Sequence, residues 1–403
     1  MNFKKALFFI FNRATYGRTK SILRELVKKC DVYCLVSPNK GENLGYIKEI
    51  ENLKIHQVQI EGVGKSGAAA RISEIIKVSS DAISEIQPDI SFVIADRYET
   101  IGAAIASNIH GVPVCHIQGG EITLNIDEKI RHAVTKLSDY HFTSTAFGRR
   151  FVIMMGEDWK RVFWVGCPSL DLIRENGIFR KFTSDKNVIS IFHPHTKDRD
   201  LTSQVMNYME ALKESMEMER AHAYIYYPNL DPGEEEIREV LDYYTNKYPI
   251  IFIKEYNSTP EVFYYKLASA RFIIGNSSAI LREASFIGVP GINVGTRQGI
   301  RERASNVMDT PPIKADILGA IHRAWQIKRH PRSYAYGDGR SATRIMKKLE
   351  RILPEEKGAL TYPKDNQFYF SKGRLDGYGK RRFSEKGSIK EQRFFQGKSG
   401  VLG

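Results

Sequence analysis

The chain has 403 residues, 42% of them apolar and 27% charged, with a formal net charge of +13. That length exceeds the usual ceiling for one hydrophobic core, so two domains are expected, and no apolar run approaches the length of a membrane span. Lys4-Lys5 and the apolar stretch Ala6 to Phe11 imitate a signal peptide only faintly. The stretch is too short, and Asn12-Arg13 ends it without a small-residue cleavage site, so a buried first strand and a cytoplasmic location are the reading. Cys30, Cys34, Cys115 and Cys167 form no C-x-x-C pair, which suits reduced core thiols rather than a disulfide framework or a zinc site.

The charge is uneven. Thr361 to Gly403 holds ten Lys/Arg against four Asp/Glu, or +6, which leaves +7 on the body. A moderately basic body fits an anionic substrate. The tail from 371 to 403 reads as a solvated, low-order segment. Its Phe383, Phe394 and Phe395 accompany basic residues without a recognisable nucleic-acid module, so no nucleic-acid partner is expected.

In chain order, 5–11, 31–36, 54–60, 90–95, 113–117, 140–144 and 162–165 read as strands, with helical patterns at 18–29 and 68–86 between them. Strands that are almost wholly apolar and separated by helices imply a parallel sheet covered on both faces. The rhythm breaks at 168–187, where turn formers and charge mix. It resumes with strands at 188–192, 222–227, 249–254, 271–275 and 290–294, and fades after about Leu353. The expected architecture is α/β: a Rossmann-like doubly wound domain over 1–170 and a second, nucleotide-binding one over 187–345. A C-terminal segment over 346–370 and the tail follow. The ligand is expected in the cleft between the two domains.

Ligands of open α/β sheets bind beyond the carboxyl ends of the strands, so the residues there carry the functional argument. After the first strand, Arg13 and the amides of 14–17 offer a phosphate site, or else an ordinary surface arginine. No G-x-G-x-x-G is present, which argues against a dinucleotide cofactor. Asp96 and Arg97 follow the strand 90–95, as cleft residues or as a salt-bridged helix cap. Next come His116-Ile117-Gln118-Gly119-Gly120-Glu121, whose glycines permit close approach of a ligand.

A helix over 125–137 then places Ile126, Ile130, Ala133, Val134 and Leu137 toward the core, with Asp127 and Arg131 one turn apart. Asp127 alone suits a helix-dipole partner and His132 a packing residue. Asp96, Glu121 and Asp127 together suit proton transfer. In the second domain, His193 to Thr196 and Asn229 to Asp231 follow strands. Ser277 and Ser278 open a helix carrying Arg282 and Glu283, an anion cradle or a simple N-cap. The loop with Arg297, and Arg301 nearby, adds cations to that cradle.

These segments resemble the hydrolysing UDP-N-acetylglucosamine 2-epimerases of sialic acid biosynthesis. The matching strings are NRATYG at 12–17, DR at 96–97, HIQGGEITLNIDEKIRHAVTKL at 116–137, GCPS at 166–169, FHPHT at 192–196 and PNLD at 228–231. GNSSAILRE at 275–283, GTRQGIRE at 295–302 and YGDGRSATRI at 336–345 continue the series in family order, to about Phe370. The resemblance implies a glycosyltransferase-B-like fold without a redox cofactor or metal, and a homo-oligomer acting on a small-molecule sugar nucleotide.

It also implies anti elimination of the nucleoside diphosphate through a glycal, then hydration with C2 inverted and release of N-acetylmannosamine and UDP. By position, Asp96 and Asp127 resemble the family's acid/base carboxylates, and His193 the histidine that supports the departing phosphate. Arg13, Ser277, Ser278, Glu283 and Arg297 resemble its nucleotide ligands, and Arg97, Arg131, Asn229 and Arg282 join them as candidate substrate contacts. Two positions depart from the family. Gln118 stands where many members have a catalytic glutamate and others a histidine, and glutamine cannot shuttle a proton, so Glu121 is its expected substitute. Thr15 replaces a common acidic residue. Other readings from the same residues are a glycosyltransferase of this fold and a catalytically weak sugar-nucleotide sensor.

Overall fold

The structure is a computed structural model that describes residues 3–37, 47–60, 65–178, 186–195, 200–228, 233–255 and 259–352. All of them lie in one compact unit that ends at Tyr362. The first lobe runs β1 (Lys5–Ile10), α1 (Arg13–Leu26), β2 (Asp31–Val36), β3 (Leu53–Gln57), α2 (Lys65–Ile86), β4 (Ile90–Ile94), α3 (Tyr98–Ile109), β5 (Val114–Ile117), α4 (Ile126–Lys136), β6 (Tyr140–Thr143), α5 (Ala146–Met154) and β7 (Val162–Trp164). After α6 (Ser169–Glu175) the second lobe runs β8 (Asn187–Ile191), α7 (Leu201–Glu219), β9 (His222–Tyr226), α8 (Glu234–Lys247), β10 (Phe252–Glu255), α9 (Pro260–Ser269), β11 (Ile273–Gly275), α10 (Glu283–Ile287), β12 (Gly291–Val294), β13 (Val307–Thr310) and α11 (Lys314–Gln326). Helix α12 (Ser341–Ile352) closes the described chain.

Both sheets are parallel throughout. Their orders are β3-β2-β1-β4-β5-β6-β7 and β10-β9-β8-β11-β12-β13. Each reverses direction once, between β1 and β4 in the first lobe and between β8 and β11 in the second. These are two Rossmann-like doubly wound lobes, the glycosyltransferase-B arrangement, and each reversal opens a crevice at the strands' carboxyl ends. The near-continuous apolar strands follow from burial on both faces. Phe8 and Phe92 stack at 4.4 Å on one face of the first sheet, while Leu7, Phe9 and Val93 pack beneath α2 and α3 on the other.

Several elements differ from the sequence expectation, which did not list the edge strand β13. The stretch 168–187 opens as a helix, because Leu170, Leu172 and Ile173 bury against the face of the second sheet that carries Ile189 and Ile273. The C-terminal segment begins inside α12, whose Ala342, Ile345, Met346 and Leu349 bury against the first sheet's core. Helix α1 starts at Arg13 rather than near Arg18, because the Asn12 side chain caps it by accepting from the Thr15 amide at 2.8 Å. The chain therefore crosses between lobes twice, by α6 and by α12. Residues 353–403 lie outside the described residues.

Asp171 of α6 ties the two crossings together. Its buried carboxylate accepts from the backbone amides of Ser341 at 2.8 Å and Ala342 at 2.7 Å, which otherwise open α12 without partners. Removing it as Asp171→Ala is expected to lower stability by about 1–3 kcal/mol, read as a lowered urea midpoint. An unchanged midpoint would show that α12 does not depend on this cap.

Candidate functional site

The carboxyl ends of β4 and β5 lie side by side in the first sheet. Each ends in a non-glycine residue with left-handed backbone, Ala95 at φ +60 and Gln118 at φ +69. Such residues are uncommon away from functional sites. His116 on β5 secures the first by hydrogen bonding the Ala95 carbonyl through Nε2 at 2.9 Å. Burial, partly opposed by that bond, holds its pKa down to about 3, so the imidazole is neutral and Nε2 carries the proton it donates. The turn at Ala95 delivers Asp96 into the cleft.

Asp96 and Glu121 sit at the centre of a buried ionic cluster. Asp96 accepts from Arg131 of α4 and, at 3.0 Å, from Arg301 Nη2 of the second lobe. Glu121 accepts from Arg282 Nη2 at 2.7 and 2.5 Å and from Arg301 Nε at 2.6 Å. Arg131, wholly buried, also donates to the Glu121 carbonyl and to Thr123. Burial alone would raise both carboxyl pKa values. For Asp96 it is outweighed by Arg131, Arg301 and Arg18, so the value falls well below the usual range. For Glu121 it is outweighed by Arg282 and Arg301, leaving about 2.

The other predicted residues fall around this cluster. Asn125 caps α4, and its side chain donates to Asp127 at 3.3 Å. Thr123 bonds Asn125 at 2.7 Å, which links Asp127 to Arg131 through a short polar chain. Ile126 is exposed rather than in the core, because the inward face of this first turn holds the polar site instead of apolar packing. Gln118 is fully buried; its Nε2 donates to the Cys167 sulfur at 3.0 Å and its Oε1 accepts from Arg282 at 3.5 Å. The Gly119-Gly120 pair serves protein packing rather than ligand approach. A Cβ would lie 2.9 Å from the His116 ring at Gly119 and 2.3 Å from the Gly148 carbonyl at Gly120. Arg97 forks onto Glu99 at 3.0 and 2.9 Å in the first turn of α3.

In the second lobe, Asn276 follows β11 and bridges the His193 backbone by bonds of 2.7 and 2.8 Å, which fixes the turn after β8. The Asn276 carbonyl accepts from Gln298 at 2.6 Å and from Arg297 at 3.3 Å. Ser277 caps the short 3₁₀ turn Ser278–Ile280, accepting from Ala279 at 3.3 Å, so the N-cap role holds for it. Ser278 accepts from Arg18 of α1 at 3.5 Å across the cleft. Glu283 is buried at the start of α10, and the Arg282 guanidinium lies 5.7 Å from the Tyr336 ring centre. The Arg13 side chain and all of Asn229 and Thr196 lie outside the described residues. Arg18 escaped the sequence reading, and Gln298 and Arg301 entered it only as neighbours of Arg297. Their signal is the NRATYGR and GTRQGIRE strings, which carry more cations than a capped helix or a turn requires.

Among the described residues no His/Cys/Asp/Glu cluster suits a metal ion, and no helix is long and apolar enough to cross a membrane. Arg18, Arg131, Arg282 and Arg301 face Asp96, Glu121 and Glu283, a cleft with cationic excess between two Rossmann-like lobes. That is the design of enzymes that hold a nucleoside diphosphate at the strand ends and do chemistry beside it. A family model described as UDP-N-acetylglucosamine 2-epimerase matches residues 40–350, and the chain belongs to that family.

A "UDP-N,N'-diacetylbacillosamine 2-epimerase (hydrolyzing)" of Legionella pneumophila is 30% identical over 368 residues, covering 87% of this chain and 96% of its own. A "UDP-N-acetylglucosamine 2-epimerase" of Neisseria meningitidis is 31% identical over 299 residues, covering 72% of this chain and 76% of its own. Among solved structures, a UDP-GlcNAc 2-epimerase from Neisseria meningitidis bound to UDP-GlcNAc shares the fold. Its TM-score is 0.71 at 17% identity, over 86% of this chain and 99% of that one.

The low pKa of Glu121 has a consequence for stability. Its folded value lies below the usual 4.5, so its contribution is fully present above that pH and is lost as pH falls toward about 2. The drop corresponds to about 3 kcal/mol. Glu121→Gln is therefore expected to be less stable than wild type by about 3 kcal/mol at neutral pH. The difference should narrow as urea titrations move toward about pH 3. A gap that does not change with pH would contradict this assignment.

Proposed function

We propose that the protein is a hydrolysing 2-epimerase, converting a UDP-linked 2-acetamido sugar and one water into UDP and the free sugar inverted at C2. The observation that carries this reading is the meeting of first-lobe carboxylates with second-lobe arginines in one buried cluster. The carboxylates suit proton transfer at C2, and Arg282, the second-lobe arginine paired with Glu121 alone among them, suits a departing diphosphate. The name of the Legionella relative supports the hydrolysing outcome, and both names support UDP-linked acetamido sugars.

The reaction divides into two halves. In the first, one carboxylate takes the C2 proton as the bond from C1 to the diphosphate oxygen breaks, which releases UDP and leaves a glycal with a C1–C2 double bond. In the second, water adds its oxygen to C1, and a proton reaches C2 on the opposite face. Asp96, Glu121 and Asp127 are the proposed proton carriers, and Arg131 keeps Asp96 charged and in place. Arg282, Arg297, Arg18 and His193 are proposed to face the diphosphate, Ser277, Ser278 and Glu283 the nucleoside end, with Arg13 and Asn229 beside them. Gln118 carries no titratable proton. We assign it to spacing Arg282 from Cys167 rather than to proton transfer. N-acetylmannosamine is the product expected from UDP-N-acetylglucosamine, and its 2,4-diacetamido counterpart the product from UDP-N,N'-diacetylbacillosamine.

Incubating the protein with each of these two sugar nucleotides in D₂O and following the sugar signals by NMR tests the proposal. Free C2-inverted sugar, deuterated at C2, together with UDP is the expected result for at least one of them. Asp96→Asn and Asp127→Asn are each expected to lower kcat about 10²–10⁴-fold. Retention of configuration at C2, or release of UDP without deuterium at C2, would refute the elimination.

A further inference from the structure

Arg301 stands in the loop after β12, yet its guanidinium reaches both carboxylates of the opposite lobe. Nε donates to Glu121 at 2.6 Å and Nη2 to Asp96 at 3.0 Å. Nη1 donates to Gln298 at 2.7 Å, and Gln298 is anchored on the Asn276 carbonyl at 2.6 Å. The fork is thus aimed by the strand-end loops of its own lobe. The lobes also meet beside it, because a Cβ at Gly299 (φ +52) would lie 2.6 Å from the Thr123 backbone. The neighbouring arginines are placed differently. Arg131 belongs to the same lobe as both carboxylates, and the hydrogen bonds that Arg282 makes across the cleft go to Glu121 and Gln118.

We propose that Arg301 is a positioning residue that couples closure of the lobes to the spacing and charge of Asp96 and Glu121. With the lobes together, one rigid fork sets the distance between the two carboxylates. When the lobes part, both lose that cation in the same step. The inference rests on the elimination and hydration proposed above, in which these carboxylates exchange protons. A planar guanidinium can hold two carboxylates at once, whereas a lysine ammonium keeps the charge without the fixed fork.

The full-length protein and its Arg301→Lys and Arg301→Gln variants decide the matter, with UDP affinity from calorimetry as the control for an intact second lobe. UDP affinity is expected to stay within about threefold of wild type in both variants, and kcat to fall about 100-fold or more with KM changed far less. The acid limb of the kcat profile is expected to move to higher pH in the glutamine variant and to stay near the wild-type position in the lysine variant. A glutamine variant with the wild-type acid limb would overturn the proposal, as would a lysine variant with wild-type kcat. Wild type that turns over neither sugar nucleotide would refute the proposed reaction and leave the coupling to small-angle scattering. There the glutamine variant should show a larger radius of gyration than wild type, and equal radii would overturn the coupling.

Discussion

The arrangement depends on one buried interaction, the sharing of Asp96 and Glu121 among Arg131, Arg282 and Arg301. Carboxylates removed from water would ordinarily protonate, and guanidiniums without partners would be expelled from the interior. Each group here is tolerable only because the others are present. Two of the three arginines come from the second lobe, so the buried carboxylates have these cationic partners only with the lobes together. A site of this kind is specific rather than strongly stabilising, since desolvation offsets much of the attraction.

The fold explains why these groups meet. Parallel doubly wound sheets leave their loops at the carboxyl ends, and each lobe contributes the two loops beside its reversal point. Asn12 and Asp96 mark that point in the first lobe, and His193 and Asn276 in the second. The crossings by α6 and α12 hold the two edges in register: each buries its apolar face on the other lobe's sheet, and the Asp171 cap joins them. The cleft is therefore a product of apolar packing at a distance, with polar groups placed where no strand or helix can cover them.

Much of this was legible in the sequence. Asp96, Gln118, Glu121 and Ser277 could be singled out because each stands just after an apolar run, and strand ends are where such folds bind ligands. Arg131 followed from helical spacing after Asp127, and Arg282 from its place behind the serines, although a 3₁₀ turn and a separate short helix stand where one helix was expected. Arg18 and Arg301 were harder, because a lone arginine in a helix or a loop looks the same locally whether it faces solvent or a carboxylate on the other lobe. The packing role of Gly120 is hidden for a related reason: the Gly148 carbonyl it faces lies on α5, far along the chain. The helical character of 169–175 was hidden by its turn-forming and charged neighbours, and the place of α12 by the fact that its partner sheet begins the chain. Local pattern identified the elements, while contacts across the cleft lay beyond it.

The central claim is that this cluster breaks the bond between C1 and oxygen rather than the bond between phosphorus and oxygen. Turnover of the sugar nucleotide in H₂¹⁸O, with the released UDP read by ³¹P NMR, tests it most directly. Elimination and hydration place solvent oxygen on the sugar, so the account predicts UDP with no ¹⁸O in its β-phosphate. An isotope-shifted β-phosphate signal would mean attack of water at phosphorus and would contradict the account.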